Sequence, residues 1–447
     1  MLYFYSLLRK KIPKNSQSLF FSTTTCLLPP YLSPNTHSLI LHHCTSPHSL
    51  KQAKQAHAFA ILHGVFHHSP SVSASLIRTY AKLGYSLTSR LLFDQSSFKH
   101  KSILWNALIR AYSITCSYYN AFEIYNAMFH YGVRPDGHTL PFVLKVCADV
   151  NAFEKGKEIH GLVFKLGFDG DVFVGNTLIF LYAKKGFWDA KKVFDEMVER
   201  NIVSWNSIIV AFSDNGCLSV ALEMFLKLNS SSGLKLNSVN LVSILPVCAE
   251  LGDEENAVGI HGYAVKAGLD KELTVCTALV DVYGKCGKLE ASKMVFDEMV
   301  ERNVVSWSAI IAGFAHNGHA KYALNMFRWM VAGREKPNSV TVSSLLPVLV
   351  ELELFDLGKE IHAYGIRRDM VSDVSVTNSL IDMYAKSGCI EEASFVFNKM
   401  EKGTVVTWNT LIRAYSITGS YYNAFEIYNA MFYYGVRPDD HYVSVCT

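Results

Sequence analysis

The five residues Trp205-Asn206-Ser207-Ile208-Ile209 recur along this chain at a nearly fixed interval. Trp105-Asn106-Ala107-Leu108-Ile109 precedes them by 100 residues. Trp307-Ser308-Ala309-Ile310-Ile311 follows 102 later, and Trp408-Asn409-Thr410-Leu411-Ile412 another 101 later. His57, His160, His261 and His362 keep the same beat, and Phe194–Met197 returns as Phe296–Met299. A fixed period constrains the fold more than any single motif does, because it makes the chain an array of one small unit.

Each long period divides into three shorter repeats. The cuts fall at Ser102–Asp136, Gly137–Asp171 and Val172–Asn201, then Ile202–Asn237, Ser238–Glu272 and Leu273–Asn303, then Val304–Asn338, Ser339–Asp373 and Val374–Thr404. A last repeat of the first kind spans Val405–Asp439, and two looser ones precede the series at Pro34–Ser69 and Pro70–Lys101. Within a repeat the pattern is that of two helices. Trp205, Ile208, Ile209 and Phe212 form an i, i+3, i+4, i+7 stripe, and Asn215-Gly216 ends it. Lys185-Gly186 and Asn317-Gly318 stand in the same place elsewhere. Ala190, Val193, Phe194 and Met197 lie on one face of a second helix. A unit this small cannot bury two apolar stripes alone and must stack on its neighbours. The expected fold is all-α: a right-handed superhelical solenoid of about twelve helix-turn-helix repeats, with a concave face.

The repeats resemble the pentatricopeptide repeats of land plants. The resemblance is carried by Gly-Val-Arg-Pro-Asp (Gly132–Asp136), Leu-Tyr-Ala-Lys-Lys-Gly (Leu181–Gly186), Val-Phe-Asp-Glu-Met (Val193–Met197) and Gly-Lys-Glu-Ile-His (Gly156–His160). The three alternating lengths are similar to that family's subclass with P, L and S motifs, and the likeness runs from about Pro34 to Asp439. The Trp-x-x-Leu-Gly of tetratricopeptide repeats is absent.

Half of the 447 residues are hydrophobic, enough for a continuous core. Ten cysteines lie scattered without a Cys-x-x-Cys; Cys44, Cys147 and Cys248 share one repeat position, which reads as packing in a reducing compartment. No acidic residue precedes Asp94. Residues 1–33 combine Arg9, Lys10, Lys11 and Lys14 with several Ser and Thr, the composition of an organelle transit peptide, mitochondrial ahead of chloroplast. No run of eighteen apolar residues exists, so no membrane partner is expected. Nine of the 42 Lys and Arg fall in residues 1–93, leaving 33 against 39 acidic residues. A body of net negative charge can bind a polyanion only through aligned local contacts, not through its overall field.

Two positions are polar in repeat after repeat. The fifth residue is Asn106, Asn176, Asn206, Thr277, Ser308, Asn378 or Asn409. The last is Asp136, Asn201, Asn237, Asn303, Asn338 or Asp439, with Thr404 off the pattern. Such side chains, one pair per repeat, can hydrogen-bond the Watson–Crick edge of one unstacked base each. They are also the residues of helix caps and turns. Capping accounts for the last residue, just ahead of the next helix, and less well for the fifth, inside a helix, where Asn is a poor former. Lys82, Lys184, Lys285 and Lys386 recur near a helix end, where lysine suits either the helix dipole or a phosphate.

The periodic histidines stand three repeats apart and cannot share a metal, so they read as packing positions. His37, His42, His43, Cys44, His48, His57, His63, His67 and His68 form a denser group without zinc-ligand spacing. Neither a phosphate-binding Gly-rich loop nor a nucleophile elbow is present, and no enzyme activity or cofactor is expected. Related plant proteins often end in a cytidine-deaminase-like domain, whose His-x-Glu and Cys-x-x-Cys are missing here.

The resemblance implies a sequence-specific single-stranded RNA-binding protein of organelles, acting in editing, processing, splicing or stabilisation, with one repeat per nucleotide. The alternative from another class is a scaffold holding an extended peptide. In the resembled family Asn with Asp favours U, Asn with Asn a pyrimidine, and Thr or Ser with Asn favours A. From Ser102 onward that implies U-n-Y-Y-n-A-A-n-n-U. Finally, Leu411–His441 repeats Leu108–His138 with three differences, Cys116/Gly419, His130/Tyr433 and Gly137/Asp440. After them the chain leaves the pattern over 440–447. This reads as a truncated member, with part of the stripe Phe425, Ile427, Met431 and Phe432 lacking a neighbour and a trans-acting editing or processing factor expected at that end.

Overall fold

The computed structural model describes residues 50–437 apart from positions 63, 232, 401 and 402. The expected leader, residues 34–49 of the Pro34–Ser69 repeat, Asp439 and the 440–447 tail lie outside the described residues. So do His37, His42, His43, Cys44, His48 and His63. Every element among the described residues is helical: twenty-four α-helices and one 3-10 turn at Met370–Ser372, with no strand.

Helices come in pairs with a tight turn between them. Ser102–Ile114 is followed by Tyr118–His130, Val172–Ala183 by Phe187–Glu196, and Val304–His316 by Ala320–Ala332. In most pairs the turn holds one left-handed residue, supplied by Gly287, Gly318, Gly388 and Gly419 at their places, whereas Gly186 is extended at φ 170°. The stripes that define the pairs are buried: Ile208, Ile209 and Phe212 on a first helix, Ala190, Val193 and Phe194 on a second.

The described residues divide into two compact units between Asn215 and Gly216, inside the 202–237 repeat. In the N-terminal unit the first helices Pro70–Lys82, Ser102–Ile114, Thr139–Asp149, Val172–Ala183 and Ile202–Asp214 pack side by side in chain order. Second helices cover them, each lying on its own first helix and on the next one. The C-terminal unit repeats the arrangement with the first helices Ser238–Leu251, Leu273–Lys285, Val304–His316, Ser339–Glu351, Val374–Lys386 and Val405–Ile417.

Two aromatic contacts repeat with the sequence. The Phe of each Val-Phe-Asp-Glu-Met motif meets the Trp of the following repeat edge to face, with centroids 4.9 Å apart for Phe194–Trp205 and 4.8 Å for Phe296–Trp307. Phe93–Trp105 and Phe397–Trp408 match them. Arg302 holds this corner: its guanidinium lies over Phe296 and donates to the carbonyls of Phe296 and Asp297. Arg200 makes the same three contacts at Phe194 and Asp195. The second contact adds a hydrogen bond to the packing of the periodic histidines against tyrosine rings. His160 Nδ1 is hydrogen-bonded to Tyr182 Oη at 2.9 Å, His261 to Tyr283 at 2.9 Å, His362 to Tyr384 at 2.8 Å, and His57 to Tyr80 at 3.2 Å.

Of the final stripe, Phe425 and Phe432 are exposed and Ile427 is half-buried. Met431 is fully buried with Trp408, Ile412 and Ala424, so it is the Phe425 and Phe432 part of the stripe that stays uncovered. The neighbours of Met431 come from its own repeat, so its packing needs no element beyond it.

Candidate nucleic-acid interface

The last residue of a repeat is the N-cap of the next first helix. Asn201 Oδ1 accepts from the backbone of Val203 and Ser204, and Asn303 Oδ1 from Val305 and Ser306. Asn237 and Asn338 cap Ser238–Leu251 and Ser339–Glu351 in the same way, and all four form reciprocal capping boxes. Asp136 stands two residues ahead of the N-cap His138 and accepts from the backbone of His138 and Thr139. Capping therefore describes these side chains.

It does not use them up. Backbone N–H groups can only donate, so they fix which atom of each capping amide is the oxygen. That leaves Nδ2 as the donor of Asn201, Asn303 and Asn338, on residues that are half-exposed. Asp136 differs in kind. Burial pushes its carboxyl up, but hydrogen bonds from Ser102, the Thr139 backbone, Asn106 and the His138 backbone outweigh that and hold it below the ordinary aspartate value. It is ionised at neutral pH and only accepts.

The fifth residue meets the last one across the repeat. Asn106 Nδ2 donates to Asp136 at 3.0 Å, Asn176 Nδ2 to Asn201 Oδ1 at 3.4 Å, and Ser308 Oγ to Asn338 Oδ1 at 3.0 Å. The structure thus brings together three pairs whose members are 25 to 30 residues apart. Thr277 turns its hydroxyl to the carbonyl of Leu273 in its own helix, as Ser308 also does to Val304 at 2.6 Å. Thr404 caps its helix through Thr407. Asn106, Ser308 and Asn409 are buried, whereas Asn176, Thr277 and Asn378 are half-exposed. Asn206 and Asn237 belong to different compact units, and Asp439 lies outside the described residues.

The four recurrent lysines are all exposed at helix ends. Lys285 and Lys386 are paired within their own helices, with Asp281 at 2.9 Å and Asp382 at 2.7 Å. Lys184 lies over the Phe180 ring. Among the described residues no group of three His, Cys, Asp or Glu is placed to hold a metal, and no helix is long and apolar enough to cross a membrane.

Sequence reasoning missed two positions. Phe173, Val203, Val239, Val305, Val340 and Val406, each the second residue of its repeat, are apolar and more than half exposed beside the cap. The signal was there: a β-branched residue recurs next to the capping Asn. The third residue, Thr139 or Thr341, reaches back to the pair before it, at 2.7 Å from Asn106 Oδ1 and from Ser308 Oγ.

Stacked helix pairs, with the polar fifth and last residues in contact at three junctions, define an α-helical repeat protein. The PPR repeat family matches at residues 103–133, 176–202, 203–232, 274–304, 375–404 and 406–436, and a second model of that family at 302–351. Together they cover just over half of the chain, which belongs to the PPR repeat family. It is 32% identical over 434 residues to the pentatricopeptide repeat-containing protein At3g57430, chloroplastic, of Arabidopsis thaliana, covering 93% of this chain and 48% of that one. It is 31% identical over 409 residues to At1g03540 of the same plant, covering 91% and 66%. The chain thus spans about half to two thirds of the length of these relatives. Among solved structures it resembles the pentatricopeptide repeat protein PPR10 in complex with an 18-nt psaJ RNA element, with TM-score 0.66 and 19% identity over 91% of this chain and 60% of that one. The likeness establishes the fold.

Proposed function

We propose that this chain binds single-stranded RNA in a plant organelle and reads it one repeat per nucleotide, without chemistry of its own. The observation that carries the reading is the contact between the fifth and last residues at three junctions, Asn106/Asp136, Asn176/Asn201 and Ser308/Asn338. A periodic pair, one per repeat, matches a periodic ligand of unstacked bases. The exposed Phe173, Val203, Val305 and Val340 offer each base an apolar surface to lie against. The atoms facing outward support the base assignments. Ionised Asp136 accepts, which suits the N3–H of uracil. Asn303 and Asn338 donate through Nδ2, which suits the unprotonated N1 of adenine. The alternation of repeat lengths favours the P, L and S subclass. Relatives with chloroplastic in their names support an organelle as the site of action, while the hydroxyl-rich, acid-poor leader favours the mitochondrion. A factor in trans would supply any editing or processing chemistry.

Selection from a random RNA pool by the purified full chain tests the reading. The expected product contains U-n-Y-Y-n-A-A-n-n-U. Enrichment of no sequence, with the chain folded, would favour the peptide-scaffold alternative.

A further inference from the structure

We propose that Thr139 and Thr341 are specificity-determining positioning residues: each, from the repeat that follows, sets which atom of the preceding pair is turned towards a base. This rests on the RNA-reading function above and names residues outside the pairs themselves.

Each threonine touches both members of its pair. Thr341 Oγ1 lies 2.7 Å from Ser308 Oγ and 2.9 Å from Asn338 Oδ1, and the Thr341 backbone N–H donates to that same oxygen at 2.9 Å. The Thr341 N–H and hydroxyl fix Asn338 Oδ1 as the acceptor, so the amide's Nδ2 is its remaining polar atom; Ser308 Oγ, at 3.0 Å, shares its one proton between this oxygen and the Val304 carbonyl at 2.6 Å. At the other site the logic is stricter. The Asp136 carboxylate only accepts, so Asn106 must offer it Nδ2, at 3.0 Å and 3.3 Å from the two oxygens. Asn106 Oδ1 then faces Thr139, whose hydroxyl donates to it at 2.7 Å and accepts from the Asp136 backbone N–H at 3.0 Å. Both threonines are completely buried, as a side chain that orients others rather than touching ligand would be.

The repeats that lack this contact provide the contrast. Asn176 is followed by Ser204, whose hydroxyl bonds Asn201 but not Asn176; Asn378 is followed by Thr407, which bonds Thr404 but not Asn378. In both cases the fifth-position Oδ1 is buried without a hydrogen-bond partner. A buried acceptor without a donor is costly and does not fix one orientation. The contact from the third-position hydroxyl to the fifth residue, made by Thr139 and Thr341 and not by Ser204 or Thr407, therefore separates junctions with a locked pair from junctions with an adjustable one. Locked pairs discriminate bases sharply; the Asn176 and Asn378 junctions discriminate weakly.

The test compares Thr341→Val, which keeps shape and loses the hydroxyl, with Thr341→Ser, which keeps the hydroxyl. Full-length chains are titrated with the RNA selected by the wild type and with versions carrying each of the four bases at the nucleotide facing Ser308/Asn338. Thr341→Val is expected to flatten the ratio of affinities at that nucleotide by about five- to tenfold, on the scale of one lost hydrogen bond. Ratios at nucleotides facing other pairs stay as they were, and Thr341→Ser restores discrimination. A uniform loss of affinity with unchanged ratios would mean a purely structural role and overturn the inference, as would wild-type ratios in Thr341→Val. Should Thr341→Val not fold, Thr139→Val read at the nucleotide facing Asn106/Asp136 decides by the same criterion. A wild type that selects no RNA overturns the RNA reading itself, and this inference with it.

Discussion

His261 Nδ1 lies 2.9 Å from Tyr283 Oη, joining the second helix of one repeat to the first helix of the next. The same bond recurs at His160–Tyr182 and His362–Tyr384. Rings 5.5 to 5.7 Å apart, packed edge to face, leave each imidazole partly shielded from water. Burial pushes all three imidazoles below the ordinary histidine value. Glu196 near His160 partly opposes the shift, as do Asp270 and Glu298 near His261, while Lys271 adds to it. The three tyrosines are pushed up by burial.

These directions fix how stability depends on pH. A histidine with a depressed folded pKa binds protons more readily when unfolded, so its contribution is complete above about pH 6.5 and is lost as pH falls below that. Raised tyrosines act oppositely and stabilise less as pH climbs past about 10. The melting temperature of the chain should therefore drop between pH 7 and pH 5.5. The combined His160→Gln, His261→Gln, His362→Gln chain should melt lower at pH 7 yet show a shallower drop. Equal slopes in the two chains would remove the histidines as the cause.

A second prediction concerns Gly156. A Cβ there would stand 2.5 Å from Leu181 Cδ2, and a Cβ on Gly358 would collide with Met383. At the equivalent place in the repeats between them the residues are Ala257 and Val282, both buried. The smaller Val282 leaves room for the methyl. Gly156→Ala should cost about 1–3 kcal/mol through overpacking, and Leu181→Val in the same chain should recover most of it. Urea denaturation of the single and double variants measures the coupling; additive losses would show that the two residues do not compete for space.

Cys116 offers a test in the stabilising direction. It occupies the left-handed turn position, φ 54°, where its near-copy has Gly419 at φ 74°. A side chain in that conformation costs about 1 kcal/mol that glycine avoids. Cys116→Gly should raise the melting temperature, whereas Gly419→Cys should lower it. A fall in the first variant would mean that the exposed Cys116 side chain makes a stabilising contact.

The repeat lengths, the paired stripes and the capping character of Asn201 or Asn303 are local properties. They can be read from i, i+3, i+4 spacing and from an Asn placed ahead of a hydrophobic run. Contacts between repeats are not local. Thr341 reaches Ser308 across 33 residues, and His261 reaches Tyr283 across 22, only once neighbouring helices are set side by side in register. The tyrosines were visible within the repeated Leu-Tyr-Ala-Lys pattern, but a one-dimensional period does not say which helix faces which. For the same reason the burial of Asn106 and Ser308 was not legible. At Asn106 and Ser308 the fifth position proves to be covered from the following repeat, by Thr139 and Thr341.

The double character of the last residue allows its two roles to be separated. Asn303 caps through Oδ1 and presents Nδ2. Asn303→Asp keeps an oxygen for the N–H groups of Val305 and Ser306 and places a negative charge at a helix N-terminus, so stability should hold or rise slightly. Its outward atom changes from donor to acceptor. The base preferred opposite Thr277/Asn303 should therefore move from one with an unprotonated ring nitrogen, adenine, to one carrying a ring N–H. The scale of the change is about 1–3 kcal/mol of discrimination, as for a good base-edge contact. Asn303→Ala, by contrast, loses the cap and should cost about 1 kcal/mol of folding stability. Melting curves and binding to RNAs varied at that one nucleotide measure both effects on the same samples. If Asn303→Asp binds RNA with the preference of the wild type, the residue is a helix cap and no more.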